Sequence, residues 1–437
     1  MKPELRVGVA GLGTVGASLV RQLQSKADLL AQRCGRPIVV TGVSARDRTR
    51  DRGVDVSGIQ WFDNATDLAR FEGIDVFVEL IGGDSGPADE SVRAALAAGK
   101  HVVTANKALL ARHGVELARM AEKAGVTLSY EAAAAGGIPV VKTMREALAG
   151  NRINRIYGIL NGTCNYILTR MEQDGIDFAA CLAEAQRLGY AEADPTFDIE
   201  GNDTAHKLAL LTSLAFGCEI DADAIYLEGI TSITRADIEA ASELGYRIKL
   251  LGVAQKTDTG IEQRVHPTMV PKTSAIARID GVLNAVAVDG DAVGEVVLVG
   301  PGAGGDATAS AVLSDLVDVA RDNAVPALGL AVSRLKPYEA ARMRLHEGGY
   351  YIRLAVYDRS GAFAEIARIM AAEGISLESI MQRDRARTQA GEAGAPQPVI
   401  LITYETTEAA VKRALATITA QNVIAGTPQM IRIEKLA

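Results

Sequence analysis

The densest set of side chains able to do chemistry lies in residues 188–214, LGYAEADPTFDIEGNDTAHKLALLTSL. It holds Glu192, Asp194, Asp198, Glu200, Asp203, His206 and Lys207 and runs into an apolar helix. Asp203 and Lys207 are four residues apart, so on a helix they share one face about one turn apart. An amine beside a carboxylate keeps its charge and can hand a proton to a developing oxyanion. Two readings stand. The stretch is a solvated acidic surface with an ordinary helical ion pair, or it is a polar substrate site with a proton donor. His206 falls on another face of the helix and reads as structural.

Two further residues compete for a chemical role. Lys107 closes the run Thr104-Ala105-Asn106-Lys107, at the end of an apolar strand. Cys164 stands where a helix is expected to begin, with Thr163 as the candidate cap. A thiol at a helix start can have a lowered pKa and act as a nucleophile. That would make the chain a cysteine-dependent semialdehyde dehydrogenase. The competing reading is a small packed residue, because no histidine lies nearby in sequence.

The elements that must position these groups begin at the N-terminus. Residues 5–10 read as a buried strand, Gly11-Leu12-Gly13-Thr14-Val15-Gly16 follows, and 17–30 reads as a helix. Strand, GxGxxG and helix in this order form a dinucleotide-binding turn. The first glycine permits the turn, the second lets backbone approach a pyrophosphate, and the third lets helix pack on strand. The next strand, 38–43, ends in Ser44-Ala45-Arg46-Asp47-Arg48, with no acid at its first positions. An acid there would bind a ribose 2′-hydroxyl, whereas an arginine suits a 2′-phosphate. Arg46 therefore predicts NADP, or tolerance of both NADP and NAD. Strands at 75–81, 101–103 and 126–130 alternate with helices at 91–98 and 108–124, giving a doubly wound α/β unit over 1–135. Thr104 and Lys107, at a strand's C-terminal end, lie on its ligand side.

A second unit spans 136–304. Its first turn, Glu131-Ala132-Ala133-Ala134-Ala135-Gly136-Gly137-Ile138-Pro139, is either a tight crossover or a holder of a cation such as Na⁺. Helices are expected at 140–148, 179–188 and 236–244, and strands at 154–160, 247–253, 263–270 and 294–299. A second glycine-rich loop, 300–306, includes Gly302 and opens a helix at 307–322. That helix returns the chain to the nucleotide unit (305–325). A linker at 326–348 precedes a βαββαβ pattern at 349–437, the order of a ferredoxin-like unit.

Composition sets the outer bounds. The 437 residues are 48% hydrophobic and 23% charged, ordinary for a globular chain of two or three domains. A net charge of -8 argues against nucleic acid or an anionic membrane as main partner. Cys34, Cys164, Cys181 and Cys218 form no CxxC pair, so neither a disulfide framework nor a zinc site is expected. The start MKPELRVGVAGLG enters a strand directly, without a signal-like run, and no stretch is apolar enough to span a membrane. A cytoplasmic location is the expectation.

Six segments together carry a resemblance. GLGTVG at 11–16, TANK at 104–107, EAAAAGGIP at 131–139, NGTCNY at 161–166, GYAEADPTFDIEGNDTAHKL at 189–208 and GPGAGGDATASAV at 300–312 resemble homoserine dehydrogenases, in order, through about residue 325. The resemblance implies a Rossmann-type nucleotide domain and an α+β catalytic and dimerisation domain. The implied activity is NAD(P)H-dependent reduction of aspartate semialdehyde to homoserine, in threonine, methionine and isoleucine biosynthesis. It implies that Lys107 and Lys207 flank the reacting carbonyl, with Asp203 beside the catalytic lysine. Glu192 and Asp198 would hold substrate. A monovalent cation would sit at Glu131 with the backbone of Ala134, Gly136 and Ile138. Residues 351–380 resemble an ACT domain, which implies pairing into a homodimer or homotetramer and an amino-acid effector, threonine first. The effector cleft would lie near Asp358, Gly361, Ala362 and Ile375. A module used for oligomerisation alone, and a non-catalytic nucleotide and amino-acid sensor, are the competing readings.

Overall fold

Six short strands rich in Val and Ile build the first sheet. They are β1 Leu5–Ala10, β2 Ile38–Ser44, β3 Gln60–Phe62, β4 Val76–Glu79, β5 His101–Thr104 and β6 Leu128–Ser129. In the computed structural model, which describes residues 3–341, 347–357, 359–382 and 396–434, they run in the order β3-β2-β1-β4-β5-β6. All pairs are parallel. The order reverses between β1 and β4, and a crevice opens there at the strands' C-terminal ends.

The glycine turn leads into a helix at Thr14–Ser25, three residues earlier than the sequence pattern suggests. The chain breaks at Lys26 and resumes helix at Ala27–Cys34. The edge strand β3 and the helix Ala65–Arg70 were not expected. Three residues at a sheet edge are too few to display an alternating pattern. The helix Gly305–Ala320 does return to this sheet. Its Val312 and Leu316 share an apolar cluster with Val7, Val9, Leu19 and Leu23. Gly305 lies so close to Thr14 that a Cβ would stand 2.8 Å from the threonine methyl.

The second sheet has β7 Ile153–Ile159, β8 Tyr226–Leu227, β9 Tyr246–Thr257, β10 Gly260–Pro271, β11 Leu283–Gly290 and β12 Gly294–Pro301, antiparallel except that β8 runs parallel to β10. The path is β12-β11-β7-β9-β10, with β8 beside β10. Strand β11 was not expected. Its Ala285, Val286, Ala287 and Val288 are all fully buried, so no in–out alternation marks it. The helices Gly162–Asp174 and Asn202–Phe216 come from the same unit. The expected helix at 140–148 is a short α-turn, Val140–Lys142, followed by a π-helical turn, Thr143–Ala147.

The last segment has β13 Glu347–Tyr357, the helix Ala362–Ala372, β14 Leu377–Gln382, β15 Pro396–Thr403, β16 Thr406–Thr407, the helix Glu408–Ala420 and β17 Ile424–Ile433. The order β17-β13-β15-β14 is antiparallel throughout, as in a ferredoxin-like unit. This sheet is continuous with the second one. Strand β17 pairs parallel with β10 at Arg432/Thr268 and Ile433/Met269. A buried charge cluster seals the seam. Fully buried Arg432 grips Glu408 through two bonds of 3.0 and 2.7 Å and reaches Glu228 at 2.8 Å. Arg264 adds a third bond to Glu408, at 3.0 Å. Arg353 and Tyr351 both donate to Asp237 on the other side, at 2.7 and 2.9 Å.

Candidate active site

Asp203 and Lys207 form the expected pair in the first two turns of the helix Asn202–Phe216. They are buried rather than solvated, at 6% and 8% exposure, which excludes the surface-pair reading. Lys207 Nζ donates to Asp203 Oδ2 at 2.8 Å and to the Leu160 carbonyl at 2.6 Å. Lys107 comes from the first residue of the helix Lys107–Ala124, and its Nζ lies 3.1 Å from Asp203 Oδ1. One carboxylate thus holds two lysines, one on each oxygen. Burial pushes the Asp203 carboxyl up, but Lys207, Lys107 and the bonds from Lys207 and Asn161 outweigh it and hold it well below its usual range.

Asn161 is the site residue that the sequence reading missed. Its Nδ2 donates to Asp203 Oδ2 and Asp198 Oδ1, both at 2.8 Å. Its Oδ1 accepts from Cys164 N–H, so Asn161, not Thr163, caps the helix. Thr163 instead donates to the Tyr190 carbonyl. An Asn side chain ahead of a helix can accept a free N–H of its first turn, whereas the sequence reading placed the cap at Thr163. Burial raises the half-buried Asp198 carboxyl, and the negative charge of Asp203 adds to the rise. Glu192 is exposed at the rim.

These residues line one cleft of about 610 Å³. Ala105 and Lys107 reach it from the nucleotide sheet, Glu192, Asp198, Asp203 and Lys207 from the second unit, and Gly302 and Thr308 from the returning segment. The crossover turn at Gly136 and the glycine-rich loop 300–306 meet at its edge. A Cβ on Gly136 would stand 2.2 Å from the Gly302 carbonyl oxygen, so backbone packs directly on backbone there.

A second cleft, about 550 Å³, opens at the crevice of the first sheet and is lined by Gly11, Leu12, Gly13, Arg46, Arg50 and Arg52 among others. A Cβ at Gly13 would meet nothing within 4 Å, whereas one at Gly16 would strike the Gly11 carbonyl oxygen at 1.9 Å. The second glycine thus leaves open space for a ligand and the third makes a packing contact, as their spacing implies. Gly13 caps the helix without a side-chain bond, and its first turn carries no acid, which suits a pyrophosphate. Thr14, Val15 and Gly16 belong to the helix rather than the cleft wall. Arg52, not singled out from sequence, donates to the Leu12 carbonyl at 3.1 Å and to the Arg50 carbonyl at 2.7 Å. Thr104 does not face a ligand. It is fully buried, donates to Glu79 at 2.5 Å and accepts from Asn106 N–H. Its role is to fix the loop that carries Lys107.

The thiol reading of Cys164 fails. Cys164 is fully buried, and burial, reinforced by Asp198 and Asp203, raises its pKa well above that of an ordinary thiol. Its Sγ–H donates to the Asp198 carbonyl at 3.2 Å, so it supports the site rather than attacking. At the crossover, both Glu131 carboxylate oxygens accept backbone N–H groups, from Val141 at 2.8 Å and Lys142 at 2.9 Å. The stretch Glu131–Ala135 is a short helix, not an irregular turn. Among the described residues no cluster of three His, Cys, Asp or Glu side chains could hold a metal. Asp358 lies outside the described residues. Ala362 and Ile375 are buried in the last unit's apolar core, while Gly361 caps a helix in the left-handed region. His206 is half-buried, with its ring 5.4 Å from that of Phe197.

A dinucleotide fold feeding a cleft with paired lysines on one carboxylate defines a nicotinamide-dependent oxidoreductase. Residues 11–131 match the family model for the NAD binding domain of homoserine dehydrogenase, and residues 139–317 match the homoserine dehydrogenase model. A homoserine dehydrogenase of Pseudomonas aeruginosa is 46% identical over 444 residues, covering 100% of both chains. The crystal structure of a Thiobacillus denitrificans homoserine dehydrogenase superposes with a TM-score of 0.92 at 44% identity, covering 100% of this chain and 99% of that one. A hyperthermophilic archaeal homoserine dehydrogenase solved with NADPH gives a TM-score of 0.62 at 25% identity, over 72% of this chain and 97% of that one. The chain belongs to the homoserine dehydrogenase family. It is an NAD(P)-dependent oxidoreductase of amino-acid biosynthesis that interconverts L-aspartate 4-semialdehyde and L-homoserine, and the sensor reading falls with that assignment.

Proposed function

We propose that Lys207, Lys107 and Asp203 carry the chemistry of this reaction, with Asp198 and Glu192 holding the substrate. The observation that carries the reading is Asp203 shared between the two lysines at a cleft bordered by the nucleotide sheet. The bound nicotinamide supplies the hydride. An aldehyde that accepts hydride becomes an alkoxide, which needs a nearby positive charge and a proton. Lys207 has two of its three N–H groups committed, to Asp203 and Leu160, which fixes its amine and leaves one N–H for the substrate oxygen. Lys207 gives the proton and is recharged from solvent. Lys107, with its side chain 32% exposed, adds positive charge from the cofactor side. Asp203 keeps both amines aimed. Glu192, at the rim, suits the substrate's ammonium group.

Homoserine-dependent reduction of NADP⁺, followed at alkaline pH, tests these roles. Lys207→Ala and Asp203→Ala should each lower kcat by roughly a hundredfold or more. Near-normal turnover in both variants would remove the assignment.

Four finer proposals belong to the same reading. NADP is the preferred cofactor, supported by Arg46 at the second cleft with Arg50 beside it and by the NADPH held in the archaeal relative. A monovalent cation binds at the crossover through the carbonyls of Glu131, Ala134, Gly136 and Ile138. This form is favoured because the Glu131 carboxylate is already spent on Val141 and Lys142, and it is checked by the dependence of activity on Na⁺. The chain reads as divided into 1–135, 136–304 and 349–437, with the last part proposed as an ACT-type module taking an amino acid such as threonine. The chain forms homo-oligomers in the cytoplasm. With β17 already paired to β10, the module edge left for a second copy is β14, where Ile380 is 45% exposed. No described helix is long and apolar enough to cross a membrane.

A further inference from the structure

The substrate side of the cleft hangs on a short segment that the chemistry above does not use. Asp198 sits in the turn-like helix Thr196–Ile199, and the end of that turn, at Ile199 and Glu200, meets residues 229–231. Ile230 N–H donates to the Ile199 carbonyl at 2.9 Å. Thr231 Oγ1 donates to Glu200 Oε1 at 3.1 Å. Gly229 lies flat against the same turn. A Cβ there would stand 2.5 Å from the Ile199 carbonyl oxygen and 2.7 Å from Glu200 Cα, both backbone atoms. Only a residue without a side chain allows this approach.

The other end of the segment is tied to the C-terminal unit. Glu228 N–H donates to the Val265 carbonyl at 2.8 Å, extending the pairing of β8 with β10. The Glu228 carboxylate accepts from Arg432 at 2.8 Å. Arg432 is fully buried, clamped by Glu408 and stacked 5.2 Å from the Tyr226 ring. It has no freedom to follow a moving partner, so Glu228 is held by the C-terminal sheet.

We infer that residues 228–231 form a strut that positions Asp198 for substrate, with Gly229 the positioning residue and the Glu228–Arg432 pair its anchor in the C-terminal unit. A shift of that unit against the catalytic sheet is then felt first as a change in substrate affinity, not in cofactor affinity. The turn is supported on the inside by Asn161 and by the Cys164 Sγ–H on the Asp198 carbonyl, and on the outside by this strut. Loss of the outer support lets Asp198 move while the Asp203–Lys207 pair stays on its helix. The inference rests on the reading of Asp198 as a substrate ligand.

The test uses the full-length enzyme, with kcat, KM for homoserine, KM for NADP⁺ and the melting temperature measured together. Gly229→Ala should raise KM for homoserine about tenfold, with KM for NADP⁺ changed less than about twofold. Glu228→Gln should raise it about threefold, and Arg432→Lys should add nothing further to KM in that background, because the strut feels Arg432 only through the Glu228 contact that both changes break. Asp198→Asn is the control. If it raises KM for homoserine while Gly229→Ala and Glu228→Gln do not, the strut is wrong and the substrate reading stands. If Asp198→Asn leaves KM unchanged, both are wrong. Parallel rises in both KM values, tracking a lower melting temperature, would mark a general packing role and also overturn the strut.

Discussion

Two buried carboxylates in this chain each bind several cations, and they do opposite work. Asp203 holds Lys207 and Lys107 at 2.8 and 3.1 Å. Glu408 holds Arg432 at 2.7 Å, Arg264 at 3.0 Å and Lys412 at 2.7 Å. Both are held below the ordinary carboxylate range by their partners, against the cost of burial, Glu408 at about 2. The difference lies in the cations and the outlook. Asp203 faces a cleft and its partners are lysines, whose rotatable N–H groups can be given up and regained. Glu408 is sealed between sheets and its main partners are arginines, rigid forks that stay charged. The same electrostatic motif thus borders a cleft in one place, where proton transfer is the proposed role, and ties the C-terminal unit to the second one in the other.

The comparison breaks most plainly by deletion at the seam. Glu408→Ala leaves Arg432 and Arg264 buried without their main anion and should cost about 3–5 kcal/mol of stability, read as a lower urea midpoint with kcat at low temperature largely kept. Equal loss in both measures would mean the seam is also part of the catalytic machinery. Exchange of the cation type is the sharper cut. Lys207→Arg keeps the charge but withdraws the transferable proton, and should lower kcat by about a hundredfold, with a melting temperature near wild type. The mirror change, Arg432→Lys, should cost about 1–2 kcal/mol of stability and little kcat. If Lys207→Arg turns over normally, Lys207 is an electrostatic support and not the acid.

Acid titration separates the two sites by a smaller effect. The folded-state pKa of Glu408 is depressed, so its stabilisation is present above the unfolded value of about 4.3 and is lost as pH falls toward 2. Glu408→Gln should flatten the stability curve across that window and leave the pH profile of kcat unchanged. The smallest effect is expected at the exposed second cleft. Arg46→Ala should raise KM for NADP⁺ by about tenfold and KM for NAD⁺ by less. Equal change with both cofactors would return Arg46 to the surface charges.

Much of this was written locally in the chain. Gly11, Gly13 and Gly16 after an apolar strand dictate the dinucleotide turn, because Gly11 and Gly16 pack directly on backbone while Gly13 leaves open space for a ligand. The four-residue spacing of Asp203 and Lys207 fixes their pairing, since helix geometry alone brings them together. The βαββαβ rhythm of the last segment was equally legible. Assembly decided the rest. Lys107 lies nearly a hundred residues from Asp203, and only the crossing of the nucleotide sheet with the second unit brings it to 3.1 Å. Asn161 and Cys164 gained their roles from neighbours on Asp198, which no spacing encodes. Strand β11 gave no alternation because it is covered on both faces. Burial, too, belongs to the fold. The sequence left Asp203 and Lys207 as either a solvated pair or a working one, and the closed packing that removes water from them excludes the solvated pair.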